Sequence, residues 1–318
     1  MCPATLWFRL VFMDRYLSLV LCLPMAVGDD SFMQDLVGLE PQEELERIQG
    51  RLTGRIISRN EMMRHGSRDH CEETRDIDYM LKQAARSLPA DWWALPRWQD
   101  ARTSAQLKDA TVRIARQMHH YDLVLLLHIP YVVPGSGSCP ADDEGARGCA
   151  SSKLAATIAG RELLARAIVP AGPNRASSST TRANVLKILL SALALLLAHL
   201  DSHRLGRENT LDHQRPGDLS LVGRAIGSLE SVARKHGDTL CSSATRALVR
   251  LSAIEATAAE GAAYRTWSEP GSSMAHTECT VREEDDGVEM LFPTEGCRVG
   301  NERQAPPSGS GTGRPIGW

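Results

Sequence analysis

The chain reads as an all-α protein, a multi-helix, bundle-like domain over residues 1–260 followed by a polar, partly disordered tail over 261–318. Three observations predict this. Aromatic residues fill 5% of the 318 positions while Leu and Ala abound, a balance that suits helices better than pleated sheets. Apolar residues recur at spacings of three and four through successive segments, the period of one helix face. After Gly261 the composition turns polar, ending in "NERQAPPSGSGTGRPIGW". With 42% apolar residues the chain has ample material for a core.

The first helix is predicted in "FMDRYLSLVLCLPMAVGDDSF" (12–32) and the residues before it. A secretory signal wants an uninterrupted apolar stretch of roughly 7 to 15 residues behind a basic start. Here Asp14 and Arg15 precede the stretch, and Ser18 and Pro24 break it. The expectation is a core helix carrying Trp7, Leu10, Val11, Leu17, Val20 and Leu21 around an inward Asp14, stopped by Pro24 and Gly28. Nothing in it asks to be cleaved.

Further helices follow by the same period. Leu45, Ile48, Leu52, Ile56 and Met63 mark one over 42–63, and Ile77, Met80, Leu81, Ala84, Ala85 and Leu88 mark one over 69–88. "LPADWWALPRW" (88–98) reads as a Trp-rich loop anchored on the core. From Ser104, Leu107, Thr111, Ile114, Met118, Tyr121, Leu125 and Ile129 keep the spacing almost without error. The stretch 132–148 reads as a loop, a helix spans Leu154 to Ile168, and 169–180 reads as a second loop. "NVLKILLSALALLLAHL" (184–200) is apolar enough to suggest a membrane span, but 17 positions with Asn184, Lys187, Ser191 and His199 are short and polar for one. A central bundle helix is the expectation, with two more helices near 217–235 and 241–260. In the tail, residues 282–299 are expected to carry one short strand pair.

Charge and cysteines narrow the classes. A formal charge of -3 with scattered Lys and Arg leaves no electrostatic footprint for nucleic acid, so no direct DNA contact is expected. None of the eight cysteines forms a C-x-x-C pair, which removes zinc knuckles and thioredoxin-like sites and points to reduced thiols. His199 and His203, one helical turn apart in "AHLDSHR", are the best metal candidates, with His213 ten residues on. Together they would make a helical metal-dependent hydrolase. The metalloprotease pattern needs Glu directly after the first His, and Leu200 stands there. A helix end with His203 against the negative dipole pole explains the same residues. His119 and His120 beside Asp122 face different ways on one helix, and no nucleophile elbow or phosphate loop is present. No catalytic set emerges.

"DRYLSLVLCLP" (14–24) resembles the Asp-Arg-Tyr-Leu-Ser-Leu…Gly-Leu-Pro signature in the regulatory, or middle homology, domain of fungal binuclear zinc-cluster transcription factors. The matching residues are Asp14, Arg15, Tyr16, Leu17, Ser18, Leu19, Leu23 and Pro24, with Cys22 where the family has Gly. Further similar segments follow in the family's order. They are "LPADWWALP" (88–96), "RQMHHYDLVLLLHIPYV" (116–132), "GRELLARAI" (160–168), "LLSALALLLAHLDSHR" (189–204), "LDHQRPGD" (211–218) and the weaker "VEMLFPTEGCRV" (288–299).

The resemblance implies a helical, nuclear regulatory domain that controls an attached DNA-binding cluster and senses signals. The six-cysteine zinc cluster is absent from these residues, and zinc is expected only in that N-terminal cluster, with no cofactor in this chain. Either a truncated gene or a regulatory remnant fits. Expected partners are the transcription machinery or co-regulator proteins, a small-molecule effector and a second copy of the chain, with no membrane. Asp14, Arg15 and Tyr16 are expected to lock the first helix into the bundle as a structural knot.

Overall fold

In a computed structural model, the residues described are 3–28, 39–67, 70–96, 103–132, 143–168, 178–203, 211–261, 264–267, 281–284 and 287–291. Helices dominate them. They are α1 (Pro3–Leu21), α2 (Pro41–Arg64), α3 (His70–Arg86), α4 (Ala90–Trp93), α5 (Ser104–His128), α6 (Asp143–Ala167), α7 (Ser178–His203), α8 (Arg215–His236) and α9 (Thr239–Ala259). Three short strands follow, β1 (Tyr264–Trp267), β2 (Val281–Glu284) and β3 (Gly287–Leu291). β2 and β3 run antiparallel, Val281 opposite Met290, while β1 lies parallel to β3 on its other edge. The end at 301–318, expected to be disordered, lies outside the described residues, as does most of "VEMLFPTEGCRV".

Local chemistry explains the helix ends. Thr103 and Gln106 form a reciprocal capping box at the start of α5, each side chain accepting the other's backbone N–H. Gly237 adopts φ 61° to close α8, and Asp238 next to it accepts the N–H groups of Leu240 and Cys241 to open α9. Two residues thus turn the chain between antiparallel helices. Two predicted loops prove partly helical, because α6 begins at Asp143 and α7 at Ser178. Gly, Ser and Ala there carry no apolar period that sequence reasoning could follow. The Trp-rich loop likewise holds one helical turn, α4, and Trp92 packs on Leu45, Ala84 and Leu88 as expected of an anchor.

α7 is the central helix. Ala192, Ala194, Leu195, Leu196, Leu197 and Leu200 are all buried, in one continuous apolar core shared with α5, α6, α8 and α9. Among the described residues α7 is the one helix long and apolar enough to cross a membrane, and most of that span is covered by the neighbouring helices. Gly160 on α6 lets the backbones of α6 and α7 approach, since a Cβ there would lie 3.3 Å from the Ser191 carbonyl oxygen.

α1 corrects one expectation. Its inward residues are Phe8, Val11, Arg15, Ser18 and Leu19, whereas Leu6, Trp7, Leu10, Leu17 and Leu21 are exposed. The helix is apolar nearly all round, so its period alone could not choose a face; the contacts of Arg15 do. Cys22, Cys71 and Cys241 stand outside disulfides, whereas Cys149 is disulfide-bonded and departs from the all-reduced state that the sequence suggests.

Candidate functional site

The residues that carry the family resemblance converge on a series of polar knots between helices. The first joins α1 to its surroundings. Arg15, fully buried, donates to the Gly50 carbonyl on α2 at 3.1 Å and to the Gly28 carbonyl at 3.2 Å. Those carbonyls hold a cation inside the protein by hydrogen bonding. Asp14, expected to point inward, is half-buried and accepts the Ala26 N–H at 3.1 Å, tying down the loop behind Pro24. Ser18 donates to the Pro24 carbonyl at 3.2 Å, and Leu19 enters the core beside Leu52, Ile56 and Leu123. Leu17 and Leu23 are exposed.

Cys22 has φ 54°, the left-handed conformation that ends a helix, and the Leu23 N–H closes the motif on the Ser18 carbonyl at 2.9 Å. That geometry gives the family's Gly its physical reason, and this chain places a side chain in it instead.

Tyr16 donates to Asp122 Oδ2 on α5 at 2.7 Å, and Lys187 on α7 bonds both groups. Burial and the neighbouring Asp122 charge push the Tyr16 hydroxyl far above its ordinary range, so it stays a proton donor. His119 packs tilted against Phe12 and edge-on against Tyr16, with centroids at 4.7 and 5.2 Å. Burial and the nearby Lys187 hold that imidazole neutral, well below 6.5. His120, buried against Trp93, is pushed down to about 4 by burial and by Arg166.

The second knot centres on Arg166 of "GRELLARAI". It donates to Gln117 Oε1 at 2.9 Å, to the Trp93 carbonyl at 2.7 Å and to Glu162, and lies 4.5 Å from the Tyr121 ring centroid. Gln117 in turn donates to the Trp92 carbonyl. Three of the similar segments therefore meet here, through side chains that no sequence spacing paired.

The third knot gives the two candidate metal ligands, His199 and His203, separate carboxylate partners. His199 Nε2 meets Asp218 Oδ2 at 2.8 Å, and Arg161 grips the same carboxylate at 2.5 and 2.8 Å. His203 Nε2 meets Glu255 Oε1 at 2.7 Å, and Arg215 holds that carboxylate at 2.7 and 2.8 Å. Each imidazole thus spends its outward nitrogen on its own carboxylate, while His213 sits exposed on a separate turn. Among the described residues no three His, Cys, Asp or Glu side chains are grouped to hold a metal. Burial raises Asp218 and Glu255, but the hydrogen bonds from His199, Arg161, Arg215 and His203 outweigh it and hold both below the usual carboxylate range. "LDHQRPGD" supplies Arg215 to one triad and Asp218 to the other, and Pro216 starts the helix that aims them.

Along most of its length the chain is similar to proteins named as fungal transcription factors or biosynthesis regulators. It is 32% identical over 304 residues to the dehydrocurvularin biosynthesis regulator of Alternaria cinerariae, covering 94% of this chain and 38% of that one. The regulator of the same name from Aspergillus terreus is 31% identical over 95% of this chain and 41% of its own. The transcription factor sdnS of Sordaria araneosa is 32% identical over 74% of this chain and 30% of its own. The chain thus spans about two fifths of the length of the first two relatives. No family model matches it, and no solved structure does. These relatives are named as regulators rather than enzymes, and nothing favours a hydrolase.

Proposed function

We propose that this chain is the regulatory domain of a nuclear fungal transcription regulator, working through contacts rather than through chemistry. The observation that carries the reading is its similarity to named fungal regulators over 94% of its residues. The polar geometry supports it: the buried carboxylates of Asp122, Asp218 and Glu255 are each bonded across helices, to Tyr16 and Lys187, to Arg161 and His199, and to Arg215 and His203. Such a module transmits a signal by the stability and pose of its helices. The transcription machinery or a co-regulator protein would read that pose, and a small-molecule effector would bias it. No cofactor of its own is required.

The test is to fuse the full chain to an unrelated DNA-binding domain in a fungal reporter host. A fused protein that enters the nucleus and raises or lowers reporter transcript relative to the DNA-binding domain alone is the expected result. A folded fusion that occupies the promoter and leaves transcript unchanged overturns the reading.

A further inference from the structure

Cys71, the second residue of α3, stands outside disulfides and is half-buried where α2, α3 and the end of α5 meet. His70 Nε2 lies 3.4 Å from its sulfur. The other nitrogen of that ring, Nδ1, meets the Ser67 carbonyl at 2.5 Å. A carbonyl only accepts, so Nδ1 carries the ring proton and Nε2 turns its lone pair to the thiol. A base held in one tautomer beside a thiol is the pairing that activates cysteine as a nucleophile. The start of α3 adds the positive end of a helix dipole.

Arg59 on α2 sets the charge of the site. Its guanidinium is fully buried and donates to the Met63 thioether at 2.8 Å and the Leu127 carbonyl at 2.6 Å, neither of which is charged. Among the described residues it forms no ion pair, and its Nε has no hydrogen-bond partner. Burial pulls this guanidinium below its usual range, and negative charge on Tyr131, Cys71 or Glu73 opposes the pull. Glu73 is held by Arg55 at 2.6 and 2.8 Å. Tyr131, bonded to Thr74 at 2.9 Å, is pushed up by burial and keeps its proton. The thiol remains to supply the counter-charge.

We propose that Cys71 is a nucleophilic thiolate, a site of covalent modification by α,β-unsaturated carbonyl compounds. Cys71 gives its proton to His70 Nε2 and its sulfur attacks the β-carbon. The S–C bond forms, the C=C π pair moves onto the carbonyl oxygen as an enolate, and the proton on Nε2 passes to the α-carbon. Addition needs no oxidant or reductant, whereas a sulfenic acid would need a peroxide. Met63 and the Tyr131 ring, 6.0 Å from the Arg59 carbon, suit an uncharged reagent. The product sulfur is a neutral thioether, so Arg59 loses its counter-charge and its hold on the Leu127 carbonyl weakens. Modification thereby loosens α2 from α5.

The inference goes beyond the regulatory reading and does not depend on it, because an adduct is read by mass and not by transcript. The full chain is treated with N-ethylmaleimide beside a short unstructured cysteine peptide, and each cysteine is followed by peptide mass spectrometry. Between pH 8 and pH 6.5 the free peptide, with a thiol pKa of about 8.5, should slow more than about tenfold, and Cys71 only about twofold. His70→Gln, shown to be folded by circular dichroism, is expected to steepen the Cys71 profile toward that of the peptide. The profile of the natural chain decides alone if that variant does not fold. The reagent is also expected to lower the unfolding midpoint of the natural chain more than that of Cys71→Ser. A Cys71 profile as steep as the peptide's, or a folded chain that takes no adduct there, overturns the proposal. So does oxidation by hydrogen peroxide as the sole reaction of Cys71, or an adduct that leaves the midpoint unmoved.

Discussion

Helices α6–α9 and helices α1–α4 are joined by different forces. Around α7 the apolar side chains form one continuous cluster, from Ile114 and Leu163 through Leu195 to Leu248 and Ala258. At the other end the apolar contacts break into smaller islands: Leu52, Ile56 and Leu81 in one, Leu45, Leu88 and Trp92 in another, Phe8 and Val11 in a third. Two buried arginines, Arg15 and Arg59, and the half-buried Arg116 bridge the gaps. Arg15 reaches two backbone carbonyls, Arg59 reaches the Leu127 carbonyl at 2.6 Å, and Arg116 reaches Glu46 at 3.0 Å. Apolar burial is non-directional and tolerates small slips, whereas a buried guanidinium is satisfied in few poses. In the first region a continuous apolar cluster is added to the polar knots of Asp218 and Glu255, whereas in the second the joining between apolar islands falls more on buried guanidinium groups. α5 belongs to both, with Ile114, Met118 and Leu125 on one side and Leu123 and Leu127 on the other.

The largest effect that would sharpen this contrast lies at the junction. Asp122→Ala leaves Lys187 without its buried partner and should cost about 3–5 kcal/mol in denaturant unfolding. A loss below about 1 kcal/mol would mean that the junction is solvated and the contrast false. In the apolar region, Leu195→Ala should cost about 2–5 kcal/mol with no dependence on salt or pH.

A pH titration separates the regions next. His120 titrates at about 4 in the folded chain against an ordinary 6.5, because it is buried. Between those values the unfolded chain binds a proton that the folded chain refuses, so stability falls as pH drops from 6.5 toward 4, by about 3 kcal/mol. His119 adds to the loss in the same direction. His120→Gln should flatten that stretch. The depressed carboxylates Asp218 and Glu255 act lower, their contribution being complete above pH ~4 and lost as pH falls through their folded values. Equal slopes for His120→Gln and the natural chain would exclude the buried imidazole as the cause.

The smallest effect is a gain. Cys22→Gly relieves a left-handed residue at the end of α1 and should raise stability by about 1 kcal/mol, seen as a higher unfolding midpoint. A loss there would show that the thiol has a contact that glycine cannot replace.

The helices were legible because each announces itself within one window of sequence. α2, α3, α5, α8 and α9 start or end within a few residues of their apolar periods. What was not legible depends on distance along the chain. Tyr16 finds Asp122 across 106 positions and Lys187 across 171, and no local pattern encodes such a pairing. β1 pairs parallel to β3 across 24 positions, outside the one hairpin-like strand pair that the composition of 282–299 suggests. The histidines follow the same rule: His199 and His203 stand one turn apart in the sequence, yet their partners Asp218 and Glu255 come from different helices. A better signal was available. Arg15 and Arg166 stand among apolar residues at core-facing positions, where a charge must have a fixed partner.

The central claim is that these signature residues bolt the helices together rather than meet a substrate or effector directly. Its most direct test is reporter output from the fused chain carrying Tyr16→Phe, Asp122→Leu and Lys187→Met together, since a buried ionic group replaced by apolar residues of similar size leaves a domain about as stable. The account predicts unfolding within about 2 kcal/mol of the natural chain and unchanged transcript. A variant equally stable but silent would contradict it.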